Sequence, residues 1–478
     1  MTKIVFFSMF FLFYLIITVF NKTSSDEQNK KSLIFSSIVF RHGARSPYNY
    51  ENNSTLTDKV GNKWNIPKSE LTIVGKRMSY LLGYKYRLKY KNFLNSKYDI
   101  GEVYAVSTNR SRTTLTLQSF IQGLYSSDQS LDSNKQDDAF PQKGDIDDKF
   151  IKQIKNKSKE LNEKNYAIAN NIATIPTFMI NSISDPYQML YESCKNYPPY
   201  NATVNKRMIF ALNNFIKSSE NEIKNIFKID IEEKDLVKLN LNLYELADSF
   251  IANYYEKTNT INNLFKNNKD NIKKFYLECE KFTYEEYTYG VLGEEDAYLS
   301  RMSSSKYFEI LLDYINRRII INSKNDDKTK SLYNYSDPKL YLFSGHDVNI
   351  SLILNYLFYS LNEKKSGLLT PFNSNISFEL YYINNSKDNY LIEIYYNDKL
   401  LYSLTFKEFE QKIRKASFSK EDIDDFCDNN NIFVQKNSKI LIIVITTMSI
   451  VIVLLSISLI YLWYSKKKTS NKEINMLI

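Results

Sequence analysis

Three short apolar runs in this chain stop abruptly in clusters of basic and hydroxyl side chains, and that pattern narrows the folds open to it. Leu33 to Phe40 (LIFSSIVF) runs into Arg41-His42-Gly43-Ala44-Arg45-Ser46-Pro47. Glu102 to Ser107 (EVYAVS) runs into Thr108-Asn109-Arg110-Ser111-Arg112-Thr113, and Lys339 to Phe343 (KLYLF) into Ser344-Gly345-His346-Asp347. Short apolar runs bounded by turn residues read as buried strands. Each is followed by helical spacing: Glu70 to Tyr90, where Leu71, Val74, Met78, Leu81 and Leu82 share a face, then Thr113 to Leu124, then Asn349 to Tyr359. Strand, loop and helix three times over predict an α/β sheet. In such sheets ligands bind beyond the carboxyl ends of the strands, where all three polar clusters fall.

Further strands are expected at Ile376 to Ile383, Tyr390 to Tyr396 and Leu400 to Phe406, the last two joined through Asn397-Asp398. Residues 145–330 are rich in Lys, Glu and Asn with apolar residues at helical intervals, the pattern of an inserted helical region. With 478 residues, 43% of them hydrophobic, the chain can bury one large core or two associated ones.

The two ends read differently. Met1 to Phe20 is one positive charge followed by an apolar run, with Thr23, Ser24 and Ser25 after it, the layout of a signal peptide over 1–25. Ile440 to Tyr464 is apolar and uncharged, long enough to span a bilayer, which takes about 20 helical residues. Trp463 and Tyr464 suit the interface, and Lys466-Lys467-Lys468 mark the cytosolic side of a tail over 465–478. The expected topology is single-pass type I, with the bulk of the chain extracellular or in a lysosome-like or vacuole-like lumen.

The formal net charge is +9; setting aside two lysines near the start and the net +3 of the tail leaves +4 for the main body. No basic stripe with interleaved aromatics accompanies it, so nucleic-acid binding is not expected. Three cysteines, Cys194, Cys279 and Cys427, allow one disulfide and one odd thiol in a lumenal compartment, with the pairing open. Sequons at Asn53, Asn201, Asn334 and Asn384 fit such a compartment.

The chemistry follows from the clusters. Arg41 and Arg45 flank His42, and guanidinium is the planar, permanently charged fork that fits phosphate oxygens. A neutral imidazole beside bound phosphate can act as a nucleophile, and two nearby cations favour the neutral form. Arg112 could present a third guanidinium to the same anion. His346 with Asp347 could supply a phosphate contact and a proton donor. Taken singly, each cluster has an ordinary reading: a basic surface turn, a capped turn, an N-cap Asp beside an incidental histidine. Their coincidence at three strand ends argues for one anion site.

Together these motifs resemble the histidine acid phosphatases, the branch of the histidine phosphatase superfamily that includes lysosomal and prostatic acid phosphatases and phytases. RHGARSP matches the branch's R-H-G-x-R-x-P signature, SGHD its second His-Asp motif, and STNRSRT resembles its S-T-x-x-x-R-T stretch. Glu70-Leu71-Thr72 with Gly75 and Leu82-Gly83 looks like its E-L-T-x-x-G helix, and Phe378-Glu379-Leu380-Tyr381 like its late F-E-L-Y strand. The likeness runs from about Leu33 to Phe406 and is thin between about 125 and 300.

The resemblance implies an acid phosphatase that hydrolyses phosphate monoesters through a phosphohistidine. His42 would be the nucleophile and Asp347 the proton donor, with Arg41, Arg45, Arg112 and His346 binding phosphate. It also implies a three-layer α/β/α core over about 33–125 and 300–430, a mainly helical cap inserted over about 126–299, and a homodimer as a family habit. An acidic optimum follows, since Asp347 must carry a proton to act as an acid. The chain departs from the family at Asn109, where an acidic residue is common, and in its sparse cysteines.

Both histidines lie in the motifs, so little is left for a metal site; neither metal nor cofactor is expected. The runs Asp145 to Asp148 and Asp422 to Asp425 (DIDD) read as solvated faces or helix starts. The rival class is a non-enzymatic surface receptor or adhesion protein on a retained phosphatase fold. Such a protein should have lost at least one of the six site residues, and all six are present.

Overall fold

The computed structural model describes residues 31–48, 64–99, 101–127, 131, 133, 148–180, 194, 206–291, 297–324, 337–363, 368–384 and 389–428. The signal segment 1–25, the apolar run 440–464 and the tail 465–478 lie outside these residues, as do Asn53, Asn201 and Asn334. Among the described residues no helix is long and apolar enough to cross a membrane.

The strands are β1 (Lys31–Arg41), β2 (Val103–Thr108), β3 (Phe178–Ile180), β4 (Leu340–Gly345), β5 (Asn375–Ile383), β6 (Tyr390–Tyr396) and β7 (Lys399–Thr405). Among the described residues they form one seven-stranded sheet in the order β3-β2-β4-β1-β5-β6-β7. The β3, β2, β4 and β1 neighbours are parallel; β5, β6 and β7 add antiparallel neighbours beyond β1. The helices are α1 (Ile73–Lys89), α2 (Ser111–Leu124), α3 (Asp148–Asn162), α4 (Lys206–Asn221), α5 (Leu236–Glu256), α6 (Asn259–Leu264), α7 (Lys269–Val291), α8 (Tyr298–Lys324), α9 (Asp347–Ser360), α10 (Phe406–Ala416) and α11 (Lys420–Asp428).

The mixed α/β fold matches the expectation, and the alternation of side chains explains how the sheet is covered. Strand residues at alternate positions face opposite sides. Ile38, Phe40, Val103, Ala105, Leu340 and Leu342 pack with Tyr86 of α1, Tyr90 just after it, and Leu117, Phe120 and Ile121 of α2. Val39, Val106, Tyr341 and Phe343 pack instead with residues of α8, α9 and α10, including Tyr307, Phe308, Ile350, Ile353, Phe409 and Ile413. A separate apolar cluster joins α4, α5, α6 and α7 through Phe215, Phe227, Phe250, Phe265 and Phe275, and it reaches Ala44 and Phe372. The helical spacing read in 206–291 thus builds a helix-on-helix core beside the motif loop.

Two boundaries differ from the sequence reading. The region read as helical also supplies β3, which pairs with Val106 to Thr108 of β2 at the sheet's edge. Three residues after Pro176 carry no alternation long enough to read. In addition, β4 runs on to Gly345 and α9 starts at Asp347, so His346 is the hinge between them.

By compactness the chain divides into two units. The first, Met1–Ser193 with Pro198–Phe418, holds the whole sheet. The second, Cys194–Tyr197 with Ser419–Ile478, contains α11 and the disulfide Cys194–Cys427. Ser419 caps α11: its Oγ accepts from Asp422 N at 3.1 Å while its own N donates to Asp422 Oδ2 at 2.9 Å. The second DIDD run is therefore a helix start. Cys279 is the free, buried thiol.

Candidate active site

β1 and β4 are parallel neighbours with Arg41 level with Gly345, and β2 lies on the other side of β4 with Ser107 level with Ser344. That register brings the three polar clusters to one end of the sheet. The loop after β1 is then locked by backbone. His42 N donates to Gly345 O at 2.9 Å, Thr72 N to Ala44 O at 3.0 Å and Ser46 N to Glu70 O at 2.9 Å. Gly43 and Gly75 let loop and helix backbones touch: a β-carbon on Gly75 would run into the Ala44 carbonyl. Thr72 caps α1, accepting from Gly75 N at 2.9 Å. The E-L-T-x-x-G stretch is thus the clamp on the RHGAR loop.

His42 is 3% exposed. Its Nδ1 lies 2.9 Å from Gly43 O, and a carbonyl can only accept, so Nδ1 carries the hydrogen. In the neutral ring Nε2 then holds the free lone pair. Burial, followed by the charge of Arg112, Arg41, His346 and Arg45, holds His42 well below the usual imidazole range. The site therefore disfavours the charged ring.

The second histidine takes the opposite tautomer. Arg112 Nη2, which can only donate, lies 3.4 Å from His346 Nδ1, so Nδ1 accepts and Nε2–H donates to Thr108 Oγ1 at 3.0 Å. Burial, then Arg112, Arg110, Arg41 and Arg45, also holds His346 well below the usual range. The two rings meet edge to face, centroids 5.6 Å apart. The His346 backbone N donates to Asn349 Oδ1 at 2.7 Å, which fixes the turn into α9.

The arginines are held by different devices. Arg41 Nη1 donates to Thr370 O at 2.5 Å, and Nη2 pairs with Asp347 Oδ2 at 2.9 Å. Arg45 makes a two-pronged pair with Asp248 of α5, at 2.8 and 3.2 Å. Burial alone would weaken the Arg45 charge, but Asp248 more than offsets it and keeps the guanidinium above its ordinary range. Phe372, on the loop before β5, lies under this group. Its ring centroid is 4.4 Å from Arg41, 5.8 Å from Arg45 and 5.6 Å from the His42 ring. Asp347 is more open than Arg41, its side chain 26% exposed against 9%.

All six residues singled out in the sequence therefore gather at one place. Asn109, where the chain departs from the family, is exposed. Sequence reasoning missed Asp248, Phe372 and Thr370 as parts of the site, and gave Thr108, within the second cluster, no role of its own. Asp248 did carry a signal, being a lone charge in the apolar helical run Leu246-Ala247-Asp248-Ser249-Phe250-Ile251. A cluster of three guanidinium groups around a neutral imidazole, with a carboxyl at its mouth, can bind a phosphoryl group, attack it and protonate a leaving oxygen. Among the described residues no group of His, Cys, Asp and Glu could hold a metal ion.

Residues 32–397 match the family described as histidine phosphatase superfamily (branch 2). Lysosomal acid phosphatase of Xenopus laevis is 35% identical over 95 residues, 20% of this chain and 21% of that protein. Human prostatic acid phosphatase is 34% identical over 96 residues, 20% of this chain and 24% of that protein. The matched stretch is thus about a fifth of the length of these curated relatives. Among solved structures, the phytase from Citrobacter braakii aligns with a TM-score of 0.49 at 12% identity, covering 81% of this chain and 98% of that one.

Proposed function

Because the chain belongs to the histidine phosphatase superfamily, branch 2, we propose that it is a membrane-anchored acid phosphatase that hydrolyses phosphate monoesters through a phosphohistidine on His42. The observation that carries this reading is the setting of His42: buried, its Nδ1–H spent on Gly43 O, and its charged form disfavoured among Arg41, Arg45 and Arg112.

The chemistry runs in two steps. Nε2 of His42 attacks phosphorus and the bond to the leaving oxygen breaks. Asp347 gives that oxygen its proton, so the alcohol departs neutral. Water then attacks the phosphohistidine, Asp347 takes back a proton, and inorganic phosphate leaves. The guanidinium groups of Arg41, Arg45 and Arg112 stabilise the charge on the transferring oxygens, the largest expected contribution to the rate, with His346 at the same phosphate site holding Arg112 through Nδ1. Substrate phosphate takes the place of Asp347 on Arg41, freeing that carboxyl for the leaving oxygen.

Membrane attachment rests on the apolar, uncharged run 440–464 and the lysines after it. The Cys194–Cys427 disulfide fits a catalytic domain in an oxidising compartment, outside the cell or in a lumen.

The test is an assay of phosphomonoester hydrolysis by the full-length, detergent-solubilised protein from pH 4 to 8. The expected result is a maximum below neutral pH, unaffected by EDTA and lost in His42→Ala. A maximum above neutral pH, inhibition by EDTA, or activity that survives His42→Ala would each contradict the proposal.

A further inference from the structure

A second carboxyl lies behind the proton donor. Glu280 of α7 is only 4% exposed, yet it lines the same small cavity as Arg41 and Asp347. The cavity has a volume of about 20 Å³, and Thr283, Ser351 and Thr370 complete its polar wall. Roughly 10–15 Å³ suffices for one water, provided polar partners are present. Two such partners are buried polar atoms without a hydrogen bond within the protein, Arg41 Nε and Glu280 Oε1. A buried, unsatisfied carboxyl oxygen is costly and calls for a reason.

We infer that Glu280 stores the proton that Asp347 delivers: the two carboxyls share one proton through this cavity, and Glu280 acts through Asp347 as a positioning residue. The inference rests on the phosphatase reading above. In the first step the shared proton leaves Glu280, crosses the cavity to Asp347 and passes from Asp347 to the leaving oxygen, so that both carboxyls end the step ionised. Glu280 is left as a carboxylate facing Arg41. In the second step the attacking water gives its proton to Asp347, it returns to Glu280, and the hydroxyl goes to phosphorus. The pair is restored each turnover.

The charged surroundings support this division. Burial pushes the Glu280 carboxyl above its ordinary range, only partly opposed by Arg41 and by a hydrogen bond from Tyr276, while Asp347 and Asp248 push it further. Arg41 comes from β1, Asp347 from α9, and Asp248 and Tyr255 from α5; Tyr276, Cys279 and Tyr284 share its own helix. Asp347 is the carboxyl in direct contact with Arg41. Glu280 is the one whose charged form burial disfavours.

The test compares wild-type and Glu280→Gln full-length protein on β-glycerophosphate, whose alkoxide needs a proton to leave, and on p-nitrophenyl phosphate, whose leaving group does not. In Glu280→Gln the falling limb of kcat against pH for β-glycerophosphate should move about one pH unit toward acid. The limb for p-nitrophenyl phosphate should stay in place. A uniform loss of kcat at every pH, with the limb unmoved, would mark Glu280 as structural and overturn the inference. Should Glu280→Gln fail to fold, Tyr276→Phe, which removes the partner of the ionised form, serves instead: an alkaline-ward shift on the alkyl ester alone supports sharing, and an unmoved limb refutes it. Absence of any wild-type activity would overturn both this inference and the phosphatase reading; wild-type activity with an unmoved limb overturns this one alone.

Discussion

His42 and His346 share one buried pocket of positive charge, and this ties folding stability to pH with a definite sign. Both are held well below the ordinary imidazole value of 6.5. Between that value and the folded-state value, the unfolded chain binds more protons than the folded one, so stability falls as pH falls. Their contribution is fully present above about pH 6.5 and is lost in the acid range below it. Thermal melts at pH 5 and pH 7 should therefore differ less in a His42→Asn, His346→Asn double variant than in the wild type. Equal differences would remove these two groups from the acid response. Asp248 gives a second test at this scale. Removing one partner of a buried ion pair leaves the other charge uncompensated, at about 3–5 kcal/mol. Asp248→Asn should lower stability by about that much, with saturating phosphate restoring part of it by supplying Arg45 with an anion; a melt unchanged from wild type would refute the pairing. The six motif residues were legible because their types and spacing suit phosphoryl chemistry. Phe372 was not: a single aromatic in a loop carries no local pattern, and its place beneath two arginines is set by tertiary packing.

At the scale of elements, the site depends on a contact between backbones. The RHGAR loop is pinned by the start of α1 through Thr72, Gly75 and the Ala44 carbonyl. A methyl group at Gly75 must push that carbonyl away, and the loop carries His42 and Arg45. Displacements of about 1 Å can cost on the order of 100-fold in rate. Gly75→Ala should therefore lower kcat about 10- to 100-fold while circular dichroism stays near wild type. Undiminished kcat would show that the clamp is dispensable. The strands and helices that form this arrangement were readable from alternation and helical spacing, since β1, β2 and β4 are short, buried and followed by helices. β3 was not, being three residues long at an edge, and neither was the extension of β4 to Gly345, where polar Ser344 and glycine hide a strand that pairing alone sustains.

For the whole molecule, the proposal joins a catalytic domain to a membrane through the run 440–464. The full-length protein should stay with membranes through high-salt and alkaline washes and come off in detergent, and deletion of 440–464 should release it. Release of the intact protein by alkaline wash would refute the anchor. The fold class was legible at this scale because strand-loop-helix order is written in local patterns. The pairing of Cys194 with Cys427, 233 residues apart, was not, because it depends on tertiary placement.

The central claim is that His42 becomes phosphorylated, and rapid acid-free quench of turnover with 32P-labelled phosphomonoester tests it most directly. The account predicts a label that is acid-labile and alkali-stable, located by peptide mapping on His42, absent from His42→Ala and accumulating in Asp347→Ala when an activated aryl phosphate is used. A wild-type enzyme that turns over rapidly with no label on His42, or with an acid-stable label on another residue, would contradict it.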